Sequence, residues 1–475
     1  MKIAAHTLGC KLNYAETSDL LRRFSTLGHT IVDFHEAADL YIINTCTVTA
    51  VAEKKCRTII RQAHRLNPDA KIAVIGCFAQ VAAADIERIP GVTLVLGNDR
   101  KHLLPEIVGA LPACGGNPGN PGNQQPNNTS NIDGQQSDTI NKNDFQDLQD
   151  LAKRETGGDM PKFPLQYSSG DRTRTFFKIQ DGCDYFCTYC AIPFARGRSR
   201  SATIEETLCM ARRIADEGAK EVVLTGVNTG TFGQHQGESF LDLLRGLDAI
   251  DGILRYRISS IEPNLLTDDI IRFVASSRAF LPHFHIPLQA GSDHVLQLMH
   301  RRYDTALYRA KLERIKELMP DACIAADIMA GFNGENEEEF QKTLDFVASL
   351  PISYLHVFTY SDRPGTAALR LGEKIPVPVR HEHTARLLEL SNQKHQAFIQ
   401  SQLGKTRPVL WESKQVDKSM GPDTLSPNQP INVSTFMEGW TDNYIRLCRP
   451  YDPALVNTVT LEPITPHNLV RDAAE

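Results

Sequence analysis

Between residues 1 and 110 the chain alternates short unbroken apolar runs with amphipathic stretches of helical period. Apolar runs at 3–8, 40–44, 72–75 and 92–96 have the length of buried strands. Helical patterns fill 16–27, which ends at Gly28, and 48–66, which ends before Pro68. Such alternation predicts a small doubly wound α/β unit.

Residues 112–146 are rich in Asn, Gln, Gly and Pro and almost empty of large apolar side chains. They bury too little surface to offset their ordering entropy, so 111–170 is expected to be a flexible linker or insertion. The alternation then resumes, with strand patterns at 175–180, 221–225, 254–260, 283–288, 323–329 and 354–360. Amphipathic helices such as 204–217 and 337–349 fall between most of them, and a helix near 383–402 closes the set. Six strand–helix units over 171–403 predict a partial (β/α)6 TIM-like barrel with function at the C-terminal ends of its strands. Short strand patterns at 407–411, 435–440, 444–447 and 458–461 predict a small C-terminal β-barrel over 404–470.

Composition narrows the class. No apolar run is long enough to span a bilayer, and the start of the chain turns polar too soon for a secretory signal, so a cytoplasmic protein without a membrane partner is expected. Eleven cysteines in a 475-residue chain of that kind favour metal or redox chemistry over disulfides. A net charge of −6 argues mildly against nucleic acid unless a local basic patch supplies the contact. Arg172, Arg174, Lys178, Arg196, Arg198 and Arg200 form such a patch in sequence, or else a solvated loop.

The patch flanks Gly182-Cys183-Asp184-Tyr185-Phe186-Cys187-Thr188-Tyr189-Cys190, directly after the first barrel strand pattern. Three thiolates spaced CxxxCxxC can each hold one iron of a [4Fe-4S] cluster and leave the fourth iron open for a ligand. A zinc loop is the alternative. Cys10, Cys46 and Cys77 each follow a strand pattern of the first unit. The carboxyl ends of parallel strands line one crevice, so these three could hold a second cluster; they could also be small buried hydrophobes.

The CxxxCxxC loop resembles the radical SAM (S-adenosylmethionine) motif. Leu224-Thr225-Gly226-Val227-Asn228, Ser259-Ser260-Ile261-Glu262-Pro263, Pro287-Leu288-Gln289-Ala290-Gly291-Ser292 and Asp327-Ile328-Met329-Ala330-Gly331-Phe332 are similar to later segments of that superfamily. With the N-terminal triad and the C-terminal β unit, nearly the whole chain resembles the methylthiotransferases, whose last domain is called TRAM. The resemblance implies two [4Fe-4S] clusters, on Cys183, Cys187 and Cys190 and on Cys10, Cys46 and Cys77. It also implies SAM contacts at Gly226, Asn228, Ser260 and Gln289, and names no catalytic residue. It implies an electron donor such as flavodoxin or ferredoxin.

Three substrates fit that family: isopentenyladenosine in tRNA, threonylcarbamoyladenosine in tRNA, and a ribosomal-protein aspartate. Thr7-Leu8-Gly9-Cys10-Lys11-Leu12-Asn13 resembles the threonylcarbamoyladenosine branch, as do Ala52-Glu53-Lys54-Lys55 and Tyr360-Ser361-Asp362-Arg363-Pro364-Gly365-Thr366. The isopentenyladenosine branch favours a Gly-Cys-Gln-Met-Asn start, which this chain lacks. The expected partner is the anticodon arm of tRNA, modified at C2 of the adenosine at position 37. An iron–sulfur RNA-binding protein without catalysis is the remote alternative. Ala290 and Asn333 replace the Ser and Pro usual in the family. Cys209 and Cys323 are expected in the core, and Phe436, Trp440 and Tyr444 either stack on bases or pack the small barrel.

Overall fold

A computed structural model of the chain describes residues 1–109, 163–170, 173–417 and 435–470; the Asn/Gln-rich stretch, Cys114 and Arg172 lie outside the described residues. The first unit is a five-stranded parallel sheet in the order β2-β1-β3-β4-β5, formed by β1 Lys2–Thr7, β2 Thr30–Ile31, β3 Leu40–Thr45, β4 Lys71–Gly76 and β5 Val92–Leu96. Helices α1 Lys11–Thr26 and α2 Ala50–Leu66 cover its two faces, α1 with Leu20 and Phe24 and α2 with Ile60 and Ala63. The doubly wound expectation is met, although α1 begins before residue 16. The early start lets Asn13 and Glu16, both polar, face inward.

The second unit carries six parallel strands: β7 Arg174–Lys178, β10 Glu221–Thr225, β11 Arg255–Ile258, β12 His283–His285, β13 Cys323–Ala330 and β14 Tyr354–Thr359. Parallel bridges Tyr256–Phe280 and Ser260–His285 join the two halves into one curved, open barrel. β6 Gln166–Tyr167 pairs antiparallel to β7, inside the stretch expected to be linker. Two residues give no periodicity to read, but Tyr167 is buried and its hydroxyl donates to Glu217 at 2.6 Å. β8 Gln180–Asp181 and β9 Arg200–Ser201 form a two-stranded clasp around the cysteine loop.

Alternation along each strand sorts the side chains. Phe177, Leu224, Tyr256, Phe284 and Ile328 join the apolar layer under the outer helices. Their sequence neighbours turn toward the barrel interior and include Arg174, Lys178, Glu221, Arg257, His285 and Asp327, so that interior is polar. Outer helices start where a side chain can cap them: Thr203 and Glu206 form a capping box, and Ser239, Thr267, Ser292, Asp304 and Asn336 cap five others. The closing helix spans Val377–Gln402.

The C-terminal residues form a four-stranded antiparallel sheet, order β17-β16-β15-β18, from β15 Thr406–Asp417, β16 Thr435–Thr441, β17 Arg446–Pro450 and β18 Val459–Pro463. Its inner face packs Val409, Trp411, Met437 and Leu447. The turn after β16 seals one end of the barrel: Arg255 donates to the Trp440 and Thr441 carbonyls at 3.0 Å, and Arg257 to those of Thr441 and Asp442 at 2.8 and 2.9 Å. No described helix is long and apolar enough to cross a membrane.

Candidate active site: two thiol triads on one barrel mouth

Cys10, Cys46 and Cys77 stand at the carboxyl ends of β1, β3 and β4, which are adjacent in the sheet. Two glycines permit the approach. Gly9 has φ +98°, and a Cβ there would come within 2.8 Å of the Cys46 Cβ. Gly76, also at φ +98°, would press a Cβ to 2.8 Å from the Thr45 carbonyl. Asn13 ties the loops together, its Nδ2 donating to the Leu8 carbonyl at 2.8 Å and the Thr45 carbonyl at 3.1 Å. Asn98 Nδ2 donates to Cys77 Sγ at 3.3 Å and to the Ala195 carbonyl at 2.7 Å. The Cys56 thiol is buried and donates to the Cys46 carbonyl at 3.5 Å, so it supports the loop from behind.

The triad sits beside a buried ion network that spans the two units. Glu16, on α1, meets Lys178 at 2.7 Å, Arg196 at 3.3 Å, and also Lys101. Asp181 meets Arg196 at 2.8 Å, Lys178 at 2.9 Å and Arg200 at 3.0 Å. Burial opposes the charge on Glu16, but Arg196, Lys101 and Lys178 outweigh it and hold its carboxyl well below the usual range. Four cations face two carboxylates, and Arg196 also feels Cys77 and Cys10. That surplus suits thiolates held by a metal.

Cys183, Cys187 and Cys190 converge on a cavity of about 300 Å³ at the strand ends. Tyr185 and Tyr189 line it with them, and Arg301 Nη1 donates to Cys187 Sγ at 3.1 Å while its other nitrogen pairs with Glu262. Burial pushes Cys183 up to about 11 and Cys190 and Cys46 up to about 12. Such thiols stay protonated at neutral pH unless a metal displaces the proton. One zinc on three thiolates would hold the sulfurs about 3.8 Å apart, given Zn–S bonds of about 2.3 Å. Among the described residues no three cysteine sulfurs lie within 4.8 Å of one another; the set that close is His285, Asp327 and His356. No three-thiolate zinc site is formed among the described residues, and a multi-iron cluster instead takes one thiolate per iron.

Thr47, Val48 and Thr49, the residues after Cys46, line the same cavity as the second triad. Arg363 Nη1 fixes them, donating to the Thr47 carbonyl at 3.2 Å and to Glu53 at 2.7 Å. The loop that follows Cys46 thus reaches the chamber of the second triad, while Cys10 lines a separate cavity.

Residues 2–97 match the family described as uncharacterized protein family UPF0004, and residues 177–347 match the radical SAM superfamily. Over 449 residues the chain is 37% identical to a Bacillus subtilis protein named threonylcarbamoyladenosine tRNA methylthiotransferase MtaB, covering 94% of this chain and 89% of that one. The chain belongs to the radical SAM methylthiotransferase family.

An Aquifex aeolicus protein of the same name is 35% identical across 86% of this chain and 92% of its own. A tRNA-2-methylthio-N(6)-dimethylallyladenosine synthase of Oleidesulfovibrio alaskensis is 32% identical across 91% of this chain and 88% of its own. As a radical SAM methylthiotransferase the chain is an enzyme that works with SAM and [4Fe-4S] clusters, so the non-catalytic alternative falls.

Asn228, Ser260 and Gln289 line the methylthiotransferase chamber with the second triad. Gly226 does not; it packs behind, where a Cβ would come within 2.8 Å of Gln180 Oε1. Arg301, one of several polar side chains in His300-Arg301-Arg302-Tyr303-Asp304 and without any periodic signal, was not legible as a chamber residue. The basic patch is corrected. Lys178 and Arg196 are internal ions, 2% and 3% exposed, and Arg174 pairs with Glu412 at 2.9 Å. Arg200 is engaged by Asp181, which leaves Arg198 as the exposed member among the described residues. Cys323 is buried as expected, whereas Cys209 is exposed on its helix. Trp440 and Tyr444 stack with ring centroids 4.5 Å apart, and Tyr444 lies 4.4 Å from the His283 ring, so both pack the join between sheet and barrel.

A second cavity, of about 310 Å³, lies deeper in the barrel, between the start of α1 and Tyr444. It adjoins the chamber: Asp327 lines the chamber and His285, 2.8 Å from it, lines the deeper cavity. Burial opposes the charge of Asp327, but His285 outweighs it, with His356 and Lys11 adding, and lowers its pKa. Lys11 opens into this cavity while enclosed by protein; burial lowers its pKa, Arg174 and Arg257 add to that, and Tyr444 and Asp327 oppose it.

Proposed function

We propose that this enzyme adds a methylthio group to C2 of N6-threonylcarbamoyladenosine at position 37 of tRNA, acting in the cytoplasm. The observation that carries the reading is the shared chamber, lined by Cys183, Cys187 and Cys190 and by Thr47–Thr49, which follow Cys46. In this reading Cys183, Cys187 and Cys190 hold one [4Fe-4S] cluster, and Cys10, Cys46 and Cys77 hold the other. When bound, the first cluster with SAM supplies radical chemistry, and the second supplies the sulfur that is added.

The chain's own residues do the positioning. Arg301 hydrogen-bonds Cys187 and pairs with Glu262, fixing that side of the chamber. Asn228, Ser260 and Gln289 face SAM, and Gly226 lets the strand end close on Gln180 behind it. Tyr185, Tyr189, Val227 and Met329 exclude water from the reacting edge. The domains follow suit: 1–110 carries the sulfur-donating triad, 171–403 the radical SAM core, and 404–470 the TRAM-like β unit that joins the core to the anticodon arm. A flavodoxin- or ferredoxin-type protein supplies the electron.

Support for the substrate comes from the relatives named for threonylcarbamoyladenosine, at 37% and 35% identity, against 32% for the dimethylallyladenosine synthase. The test is mass spectrometry of tRNA nucleosides from cells with and without the gene. Loss of 2-methylthio-threonylcarbamoyladenosine with accumulation of its unthiolated parent is expected. Unchanged tRNA nucleosides would reject the reading and direct attention to ribosomal proteins.

A further inference from the structure

The deeper cavity, which Cys10 also lines, carries positive charge that the surrounding carboxylates do not fully neutralise. Arg257 and Arg255 share Glu221, each at 2.8 Å, and Arg174 is held by Glu412 at 2.9 Å. Lys11, at the start of α1, has no ion-pair partner among the described residues. Four cations, with Arg255 standing behind the lining, thus face the carboxylates of Glu221, Glu412 and Asp327, a surplus of one. His283 lines the same cavity, is 6% exposed, and has no hydrogen-bond partner on either ring nitrogen. The buried Ser259 hydroxyl beside it is equally unpartnered. Buried donors without partners are costly, and a cluster of them around a cation invites an anion with several acceptor oxygens.

Resting on the substrate reading above, we propose that this cavity receives the N6 substituent of the target adenosine and that Lys11 binds its carboxylate, making Lys11 a specificity-determining residue. Around the six-membered ring C2 and C6 are separated only by N1, so a base with C2 toward the thiol chamber sends its N6 substituent into the adjoining space. The two cavities are lined by neighbouring residues, Asp327 and Ser260 on the chamber side and His285 and Ser259 on the other. A threonylcarbamoyl group offers a carboxylate to Lys11 and oxygen acceptors to His283 and Ser259. A dimethylallyl group offers none, and would leave His283 and Ser259 buried and unpaired.

The test uses the full-length, cluster-reconstituted enzyme and anticodon stem–loops carrying threonylcarbamoyladenosine, its carboxamide in place of the carboxylate, or isopentenyladenosine. Methylthiolation rates are measured alongside stem–loop binding by fluorescence anisotropy. The native enzyme should prefer carboxylate over carboxamide by about ten- to hundredfold, mostly in KM and Kd, the range of a hydrogen bond to a charged group. Lys11→Gln should bring that ratio close to one and Lys11→Arg should keep most of it. A ratio is insensitive to differences in cluster loading, which iron analysis checks. A native enzyme that thiolates both acyl substrates equally overturns the proposal and leaves the substrate reading intact. So does a Lys11→Gln enzyme that is weaker on both but keeps the preference. A native enzyme active only on isopentenyladenosine removes the substrate reading and this proposal together.

Discussion

A thiol raised to about 12 by burial, as Cys46 and Cys190 are, makes a poor nucleophile and a good site for a metal that takes the proton's place. The two triads nonetheless differ in their neighbours. Cys187 accepts from Arg301, whereas Cys77 accepts from the neutral Asn98, with the ion network at Glu16 close behind. Their losses should therefore separate. Alanine at Cys183, Cys187 or Cys190 is expected to abolish SAM cleavage, read as 5′-deoxyadenosine release from the reduced enzyme. Alanine at Cys10, Cys46 or Cys77 should preserve that release and lose methylthio product, with iron content falling by about half in either set. Methylthiolation that survives the N-terminal substitutions would falsify the second-cluster assignment.

At the scale of elements, the sequence displayed the strands and the cysteines at their ends, because a fully buried strand is apolar along its length and its period is short. It concealed the polar inner face of the barrel. Lys178 and Arg196 looked like a surface patch because charge along a chain does not say which way a side chain turns, and their shared partner Glu16 lies in another unit. Glu221 is a similar case, an acid opening a strand pattern that proves to be the hub for Arg255 and Arg257. Burial opposes its charge, but Arg255, Arg257 and Arg174 outweigh that and bring its carboxyl down to about 2, against an ordinary value of 4.5. A folded-state pKa below the unfolded one adds stability above the unfolded value and loses it as pH falls toward the folded one. Wild-type melting temperature should therefore drop through the window from 4.5 to about 2. Glu221→Gln should be less stable at pH 7 by about 3–5 kcal/mol, the effect of stranding a buried charge, and flatter across that window. Melts by circular dichroism give both; an unchanged pH slope in the variant would remove Glu221 from the acid response.

Across the whole molecule, three units meet inside the barrel rather than on its rim. The turn after β16 closes one end through Arg255 and Arg257, and α1 enters from the side, with Tyr14 and Ala15 on Phe176 and Val223. Glu16 is the centre of that second join: fully buried, it is met by Lys101 from its own unit and by Lys178 and Arg196 from the barrel. On the proposed reading the join bears on catalysis, because the N-terminal triad would deliver sulfur from beside the chamber, whereas SAM cleavage would need only barrel residues. Glu16→Gln leaves Lys101, Lys178 and Arg196 facing Asp181 alone, a loss of about 3–5 kcal/mol for a buried pair whose partner is removed. The first unit has its own sheet and its own apolar clusters, so the variant should loosen the join before it unfolds either side. Calorimetry should then resolve an early transition ahead of the main one. The same protein should still release 5′-deoxyadenosine while its methylthio product falls at least tenfold, an uncoupling that a general loss of stability does not produce. Equal decline of both activities, with a single transition, would mean that Glu16 stabilises the molecule without setting the position of the sulfur-donating triad.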